Sequence, residues 1–231
     1  VMSIQAGFND IVVAGGVESM SLAPYLVPAN TRSGNKMGNW QAVDHIIYDA
    51  LTDARANIHM GITAENIAAK FNITRAQQDE FAFASQQKAI AAIDAGKFKN
   101  EIVPITIHSK KGDTVFDTDE YPNRTTDLEK LAKLKPAFKS DGTVTAGNAS
   151  GINDGASFVL IASEAAVKKY NLKPLAEIIG IGQGGVDPLV MGLGPVPAIR
   201  NALNYASLKL SDMELIELNE AFAAQSLGVI H

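Results

Sequence analysis

Asn219 and Glu220 stand where an apolar run, Leu215 to Leu218, gives way to the small-residue helix pattern "NEAFAAQ". An amide and a carboxylate are costly to bury at such a strand-to-helix junction unless partnered. Asparagine offers both a donor and an acceptor, so it can hold a water or a carbonyl in a fixed direction. It can equally cap the following helix, and the two roles are compatible. In "HMG", His59 is followed by Met60, an apolar contact, and Gly61, which allows close backbone approach beside a polar ring. His45 and His108 fall in ordinary helix and strand patterns and read as structural or solvated. "AGNASGINDGA", residues 146–156, sets three glycines among small polar residues. It is either a turn-rich connection or a surface for a thin ligand with the Ser150 hydroxyl as donor. It is not GxGxxG and it precedes a strand, which argues against a dinucleotide fingerprint. "GGVDPLVMGLGP", residues 184–195, joins a strand to a helix, at the kind of strand end where open α/β sheets bind ligands. The plainer alternative is a glycine-rich loop with Met191 as a core plug. Arg124 to Lys139 carries five basic and two acidic side chains, a solvated helix face or a site for an anion such as phosphate.

"IVVAGG" is a continuous apolar run that predicts a strand buried on both faces. Residues 22–43, punctuated by Pro24, Pro28, Gly34 and Gly38, predict a long irregular excursion. Thr63 is placed to cap a helix over "AENIAAKF". Thr74 with Gln77 forms a capping-box pattern for a second helix that stops at Gly96. "ITI" and "TVF" flank "KKGD" as a hairpin. "FVLIAS" predicts a buried strand, "EAAVKKYN" a helix, "LAEIIGIGQG" a strand, "PVPAIRNALNYA" a helix with proline near its start, and "LIELN" a strand. Strand–helix alternation at both ends predicts an α/β fold with largely parallel strands.

The 231 residues, 46% hydrophobic, can bury a real core. A net charge of −5 gives no support to nucleic-acid or anionic-membrane binding. There is no cysteine, so disulfides, cysteine-bound zinc and a thiol nucleophile are excluded within this chain. No apolar run approaches bilayer-spanning length, and no secretory signal pattern opens the sequence. "VMSIQAGFND" reads as the back half of a helix, an expectation of truncation at both ends.

"GGVESMS", "HMG", "AGNASGINDGA", "GPVPA" and "NEAFAAQ", in this order, resemble the thiolase family over essentially the whole chain, most closely its biosynthetic acetyl-CoA acetyltransferases. The resemblance implies an α/β thiolase-like fold fragment, parts of two α/β halves plus an inserted α+β loop domain. Residues 1–21 would end the N-terminal half, 22–152 form the loop domain for CoA binding and assembly, 153–173 return to the N-terminal half, and 174–231 begin the C-terminal half. It implies a ping-pong Claisen exchange between two acetyl-CoA molecules, giving acetoacetyl-CoA and CoA, or the reverse thiolysis. A cysteine thiolate is acylated and a second cysteine deprotonates the incoming acetyl group. Both cysteines of the family lie outside the stretch that Val1 to His231 matches.

Within this stretch the resemblance assigns one catalytic residue, Asn219, which would hold a water at the enolate oxygen. It assigns Leu51, His59, Met60, Phe138, Ala146, Ser150, Met191 and Phe222 to the thioester and pantetheine arm, and Arg124 to the CoA 3′-phosphate. Arg124 stands one place later than the family pattern sets it, because Asn123 occupies that position in "EYPNR". No metal or cofactor is implied; the ligands are acetyl-CoA, acetoacetyl-CoA and CoA, with neither nucleic acid nor membrane as partner, in a cytoplasmic homodimer or homotetramer. A non-catalytic CoA-binding or thiolase-assembly protein is the alternative. A nucleotide-dependent oxidoreductase would need a glycine fingerprint after the first strand, and none is there.

Overall fold

The computed structural model describes residues 1–231. In chain order it contains α1 (Met2–Gln5), β1 (Ile11–Glu18), β2 (Tyr25–Leu26), β3 (Val43–Asp44), α2 (Met60–Phe71), α3 (Arg75–Asp94), β4 (Ile105–Ile107), β5 (Thr114–Phe116), α4 (Leu128–Ala132), β6 (Gly155–Ala162), α5 (Glu164–Tyr170), α6 (Pro195–Ala206) and α7 (Ala223–Ile230). A π-helical turn, Ile46–Ala50, and a 3₁₀ segment, Pro188–Leu193, lie between them. The chain divides into two compact units. The first comprises Val1–Thr52, Ile152–Gln183 and Ala198–Glu214, the second Asp53–Gly151, Gly184–Pro197 and Leu215–His231.

In the first unit β1 pairs with β6, from Ile11 opposite Ala162 to Glu18 opposite Gly155. The pairing is antiparallel, as it is for β2 with β3, so the expectation of largely parallel strands is corrected. β1 is also not buried on both faces, since Val13 and Val17 are 68% and 74% exposed. Continuous apolar character records that a segment suits a covered sheet. It does not supply the cover. The same reason corrects two strand expectations. "LAEIIGIGQG" in this unit and "LIELN" in the second form no ladder, and Leu175 and Leu215 stand exposed. A strand exists through its neighbour's hydrogen bonds, which no periodicity provides. Gly180 and Gly182 nevertheless have work to do: a Cβ on Gly182 would sit 2.2 Å from the Ala198 carbonyl oxygen, so this segment lies directly on the α6 backbone. Asp154 accepts from the Ser21 N–H and hydroxyl at 2.8 and 2.5 Å, tying the "ESMS" and "NDGA" segments together. Those bonds hold its carboxyl below the usual range, the Ser21 hydroxyl contributing most. α5 is capped by Ser163 and ends at Asn171 in the left-handed conformation.

The second unit holds the best-packed core: Ala64, Ile67, Ala68, Ile73, Val144, Leu193, Phe222 and Ala224. α2 carries Ala64, Ile67 and Ala68 on one face, the spacing of an amphipathic helix. α7 approaches α2 through Gly228, where a Cβ would meet Ile67 at 2.5 Å. α3 begins with the expected capping box of Thr74 and Gln77, and Gly96 just past its end has φ +65°. The hairpin of β4 and β5 forms as expected, in antiparallel register. α2 starts four residues earlier than the sequence predicts. Its cap is His59, whose Nδ1 accepts from the Gly61 N–H at 3.0 Å, while Thr63 is turned inward and donates to the Met60 carbonyl. No helix is long and apolar enough to cross a membrane.

Candidate functional site

Three separate stretches of the second unit meet at one aromatic ring. His59 stacks on Phe138, ring centroids 4.6 Å apart at 25°, and Phe222 meets Phe138 edge-on at 6.1 Å and 83°. Such pairs each contribute about 0.5–1.5 kcal/mol beyond the area they bury. The ring lies so close to the first turn of α2 that a Cβ on Gly61 would stand 2.4 Å from it. The glycine of "HMG" is therefore a requirement of this packing. Met60 packs against the same core.

His59 has its tautomer set by its own helix. Nδ1 accepts from Gly61, so the neutral ring carries its proton on Nε2 and can donate from there. Burial lowers its pKa below the ordinary histidine value, which favours that neutral form.

The small-residue segment reaches the same place from another side. Ala149 bridges to Phe222, and the Ser150 N–H donates to the Ala221 carbonyl at 2.9 Å. The Ala223 N–H, the first of α7, donates to the Asn148 carbonyl at 2.9 Å. This antiparallel contact fixes the chain entering α7, and with it Asn219. Ala146 and Ser150 are exposed, available to a ligand.

Asn219 departs from expectation in two respects. It is exposed, not buried at the junction, and it does not cap α7, whose N-cap is Phe222 without a side-chain bond. Its side chain has no hydrogen-bond partner within the chain, so both its donor and its acceptor stay free. Glu220 is the partnered member of the pair, accepting from the Ser85 hydroxyl at 2.5 Å. Beside it lies a cleft of about 220 Å³ bordered by Ser85, Gln86, Tyr121, Ser150 and Glu220. The Tyr121 hydroxyl donates to the Ala149 carbonyl at 3.3 Å, and burial raises its pKa.

The remaining residues singled out by sequence are placed less closely. Met191 is 44% exposed on the 3₁₀ segment, which overturns the core-plug reading. Leu51 follows the π-helical turn in the first unit, half-buried. Arg124 forms a two-pronged ion pair with Asp94 at 2.9 and 2.6 Å. That pairing raises the pKa of the arginine and lowers that of the aspartate. Any phosphate at Arg124 therefore competes with a carboxylate already in place. The neighbouring lysines are exposed and locally paired, Lys130 with Asp127 and Lys133 with Glu129, as a solvated face would be. His45 and His108 pair at the surface with Asp49 and Asp113. No group of three or more His, Asp or Glu side chains converges as a metal site would require.

Sequence reasoning missed the polar scaffold beneath the site. Glu65, 8% exposed, accepts from the Thr143 N–H and hydroxyl and from the Val144 N–H at 2.8–3.0 Å. Asp79 and Asn148, 4% and 2% exposed, bond to each other at 2.9 Å. A charged residue in a helix reads as surface unless its partner far along the chain is known, so no local pattern marks Glu65 or Asp79.

The sequence pattern of "Thiolase, N-terminal domain" matches residues 1–165, and that of "Thiolase, C-terminal domain" matches residues 172–231. The chain belongs to the thiolase family. An acetyl-CoA acetyltransferase of Pseudomonas aeruginosa is 55% identical over 228 residues, 98% of this chain and 58% of the relative. The structure of an acetyl-CoA acetyltransferase from Syntrophomonas wolfei superposes with a TM-score of 0.94 at 48% identity, covering 99% of this chain and 57% of the other. A human mitochondrial 3-ketoacyl-CoA thiolase, in a crystal structure in complex with CoA, superposes with a TM-score of 0.92 at 50% identity, covering 99% and 56%. This thiolase chain thus spans a little over half the length of the relatives it matches. The α/β thiolase fold expected from sequence holds across it.

Proposed function

We propose that this chain carries the CoA-thioester wall and one oxyanion-site residue of an acetyl-CoA C-acetyltransferase. The reaction is the condensation of two acetyl-CoA molecules to acetoacetyl-CoA and CoA, or the reverse thiolysis. The observation that carries the reading is the convergence of His59, Phe138, Phe222 and the Ala149–Ser150 backbone, with the unpartnered Asn219 amide three residues before Phe222 in the chain. Support also comes from the acetyl-CoA acetyltransferase relatives and from the CoA complex of a structural neighbour.

In this reading a cysteine thiolate, contributed from outside these 231 residues, attacks the thioester carbon and expels CoA as thiolate, leaving an acyl-cysteine. A second acetyl-CoA then loses a methyl proton to a base. Its carbanion attacks the acyl carbon, the new C–C bond forms, and the cysteine thiolate leaves. The developing enolate oxygen needs donors fixed in advance. Asn219, with no competing bond, supplies one by orienting a water. The edge-to-face rings of Phe138 and Phe222 give an apolar wall for the pantetheine arm, with Met60, Ala146 and Met191 as further contacts. His59 Nε2–H and the Ser150 hydroxyl are its polar contacts, and Arg124 meets the 3′-phosphate. The protein works as a homodimer or homotetramer.

The test is thiolysis of acetoacetyl-CoA by the full-length protein and its Asn219→Ala variant. Losing one oxyanion-site donor is expected to lower kcat by about 10²–10³ with a smaller change in KM. A loss under about threefold removes Asn219 from the mechanism. A wild-type protein that binds CoA without turnover replaces the reading with a non-catalytic CoA binder.

A further inference from the structure

Beneath the proposed substrate wall runs a buried polar chain to which none of the site assignments refers. Arg75 Nε donates to Asp79 Oδ2 at 2.8 Å, one turn apart on α3. Asp79 Oδ1 accepts from the Asn148 amide nitrogen at 2.9 Å. That nitrogen also donates to the Thr143 carbonyl at 3.2 Å, and the Asn148 side-chain oxygen accepts from the Thr145 N–H at 2.8 Å. Every donor and acceptor of the Asn148 side chain is thus engaged in a low-dielectric setting, where satisfied networks rigidify and broken ones are costly. The backbone carbonyl of the same residue receives the first N–H of α7, three residues after Glu220. Asn148 is therefore a residue whose own bonds reach α3, the segment bearing Ala146 and Ser150, and the start of α7, beside the separate Ser85–Glu220 and Ser150–Ala221 links.

We propose that Asp79 is a positioning residue for the thiolase site, acting through Asn148 to set the binding wall and the Asn219 segment at the same time. The inference rests on the thiolase reading of the site. Its chemical basis is that Asp79 must present two acceptors. It faces a donor from Arg75 on one side and a donor from Asn148 on the other. An asparagine in its place keeps the shape but supplies one acceptor. Whichever way its amide turns, an N–H2 group faces one of the two donors. The guanidinium also loses its counter-charge while still bonded to the Leu134 carbonyl at 3.0 Å. The predicted consequence is a small displacement of the Thr143–Ser150 segment and of the start of α7. A misplacement of about 1 Å remote from the reacting atoms can cost roughly a hundredfold.

The experiment uses the full-length protein with Asp79→Asn, Asp79→Ala and the double variant Asp79→Asn/Asn148→Asp. Steady-state thiolysis of acetoacetyl-CoA is measured beside hydrogen exchange at the Thr145, Ser150 and Ala223 amides and thermal unfolding. Asp79→Asn is expected to raise KM and lower kcat together, taking kcat/KM down by about 10- to 100-fold, and to speed exchange at those three amides. A variant that merely leaves part of the sample unfolded lowers kcat at unchanged KM, and that result overturns the inference. The double variant restores the alternation of donor and acceptor between positions 79 and 148, although position 148 then meets the Thr143 carbonyl with an acceptor. It is expected to recover part of the lost KM and exchange protection; recovery of neither overturns the inference. If Asp79→Ala does not fold, the isosteric variants decide. A wild-type protein without thiolysis overturns the functional reading instead, and the exchange arm, which needs no turnover, still decides whether Asp79 holds both segments.

Discussion

Replacing Gly61 by alanine tests how closely the site is packed. The new Cβ would lie 2.4 Å from two carbons of the Phe138 ring and 2.5 Å from a third. Ordinary contact begins near 3.4 Å, so the ring has to retreat by about 1 Å or the first turn of α2 has to shift. Overpacking of this kind costs about 1–3 kcal/mol. Losing part of the His59 stack and the Phe222 edge contact is included in that cost. The helix-propensity gain of alanine over glycine offsets at most about 1 kcal/mol, and less in a first turn. The expected net destabilisation is about 1–2 kcal/mol, which lowers the Tm by a few degrees. The displaced ring moves the apolar wall, so KM for acetyl-CoA should rise severalfold. Thermal unfolding and steady-state kinetics of the full-length protein measure both effects. The decisive control is the same substitution in a Phe138→Ala background, where nothing remains to collide. There the Gly61→Ala penalty should vanish or reverse, giving a large interaction term in the cycle. An additive pair, or a single variant with unchanged Tm and KM, refutes the reasoning.

The other expectations concern charge and protonation. Arg124→Ala should raise KM for acetyl-CoA severalfold at low salt, less at high salt and not at all for an acetyl-pantetheine thioester. Asp94→Asn, which releases Arg124 from its present partner, should lower KM; equal effects on both substrates, or no effect of Asp94→Asn, would leave Arg124 structural. His59 has a folded pKa below its unfolded value, so the unfolded chain binds the proton first as pH falls and stability decreases from about pH 6.5 downward through the folded pKa. Protonated Nδ1 then faces the Gly61 N–H that it capped, and His59→Gln should flatten this part of the stability–pH curve; an unchanged curve counts against the capping role. The 231-residue chain by itself contains no thiol and should give no thiolysis above background, a result that turnover by the purified, contaminant-free chain would contradict.

What the sequence determined by itself was local or motif-borne. The capping box at Thr74 and Gln77, the stop at Gly96, the hairpin around "KKGD" and the turn at Asn171 follow from backbone preferences and short-range hydrogen bonds, so they are legible a few residues at a time. The ordered set from "GGVESMS" to "NEAFAAQ" carried the family, and the matched domains agree with it. Partnership, by contrast, arose from contacts distant in the chain. Strand direction depends on which segment lies alongside, so β1 and β6 turned out antiparallel although alternation pointed the other way. "LIELN" has strand composition and no neighbour. His59, not Thr63, caps α2, because Phe138 lies against Gly61 and fixes where the first turn can begin. Asn219 is free where Glu220 is bound, a distinction made by Ser85, 135 residues away in the chain. Glu65, Asp79 and Asn148 gave no local sign of burial, since the cost of burying a polar group is set by partners that only folding brings within hydrogen-bond reach.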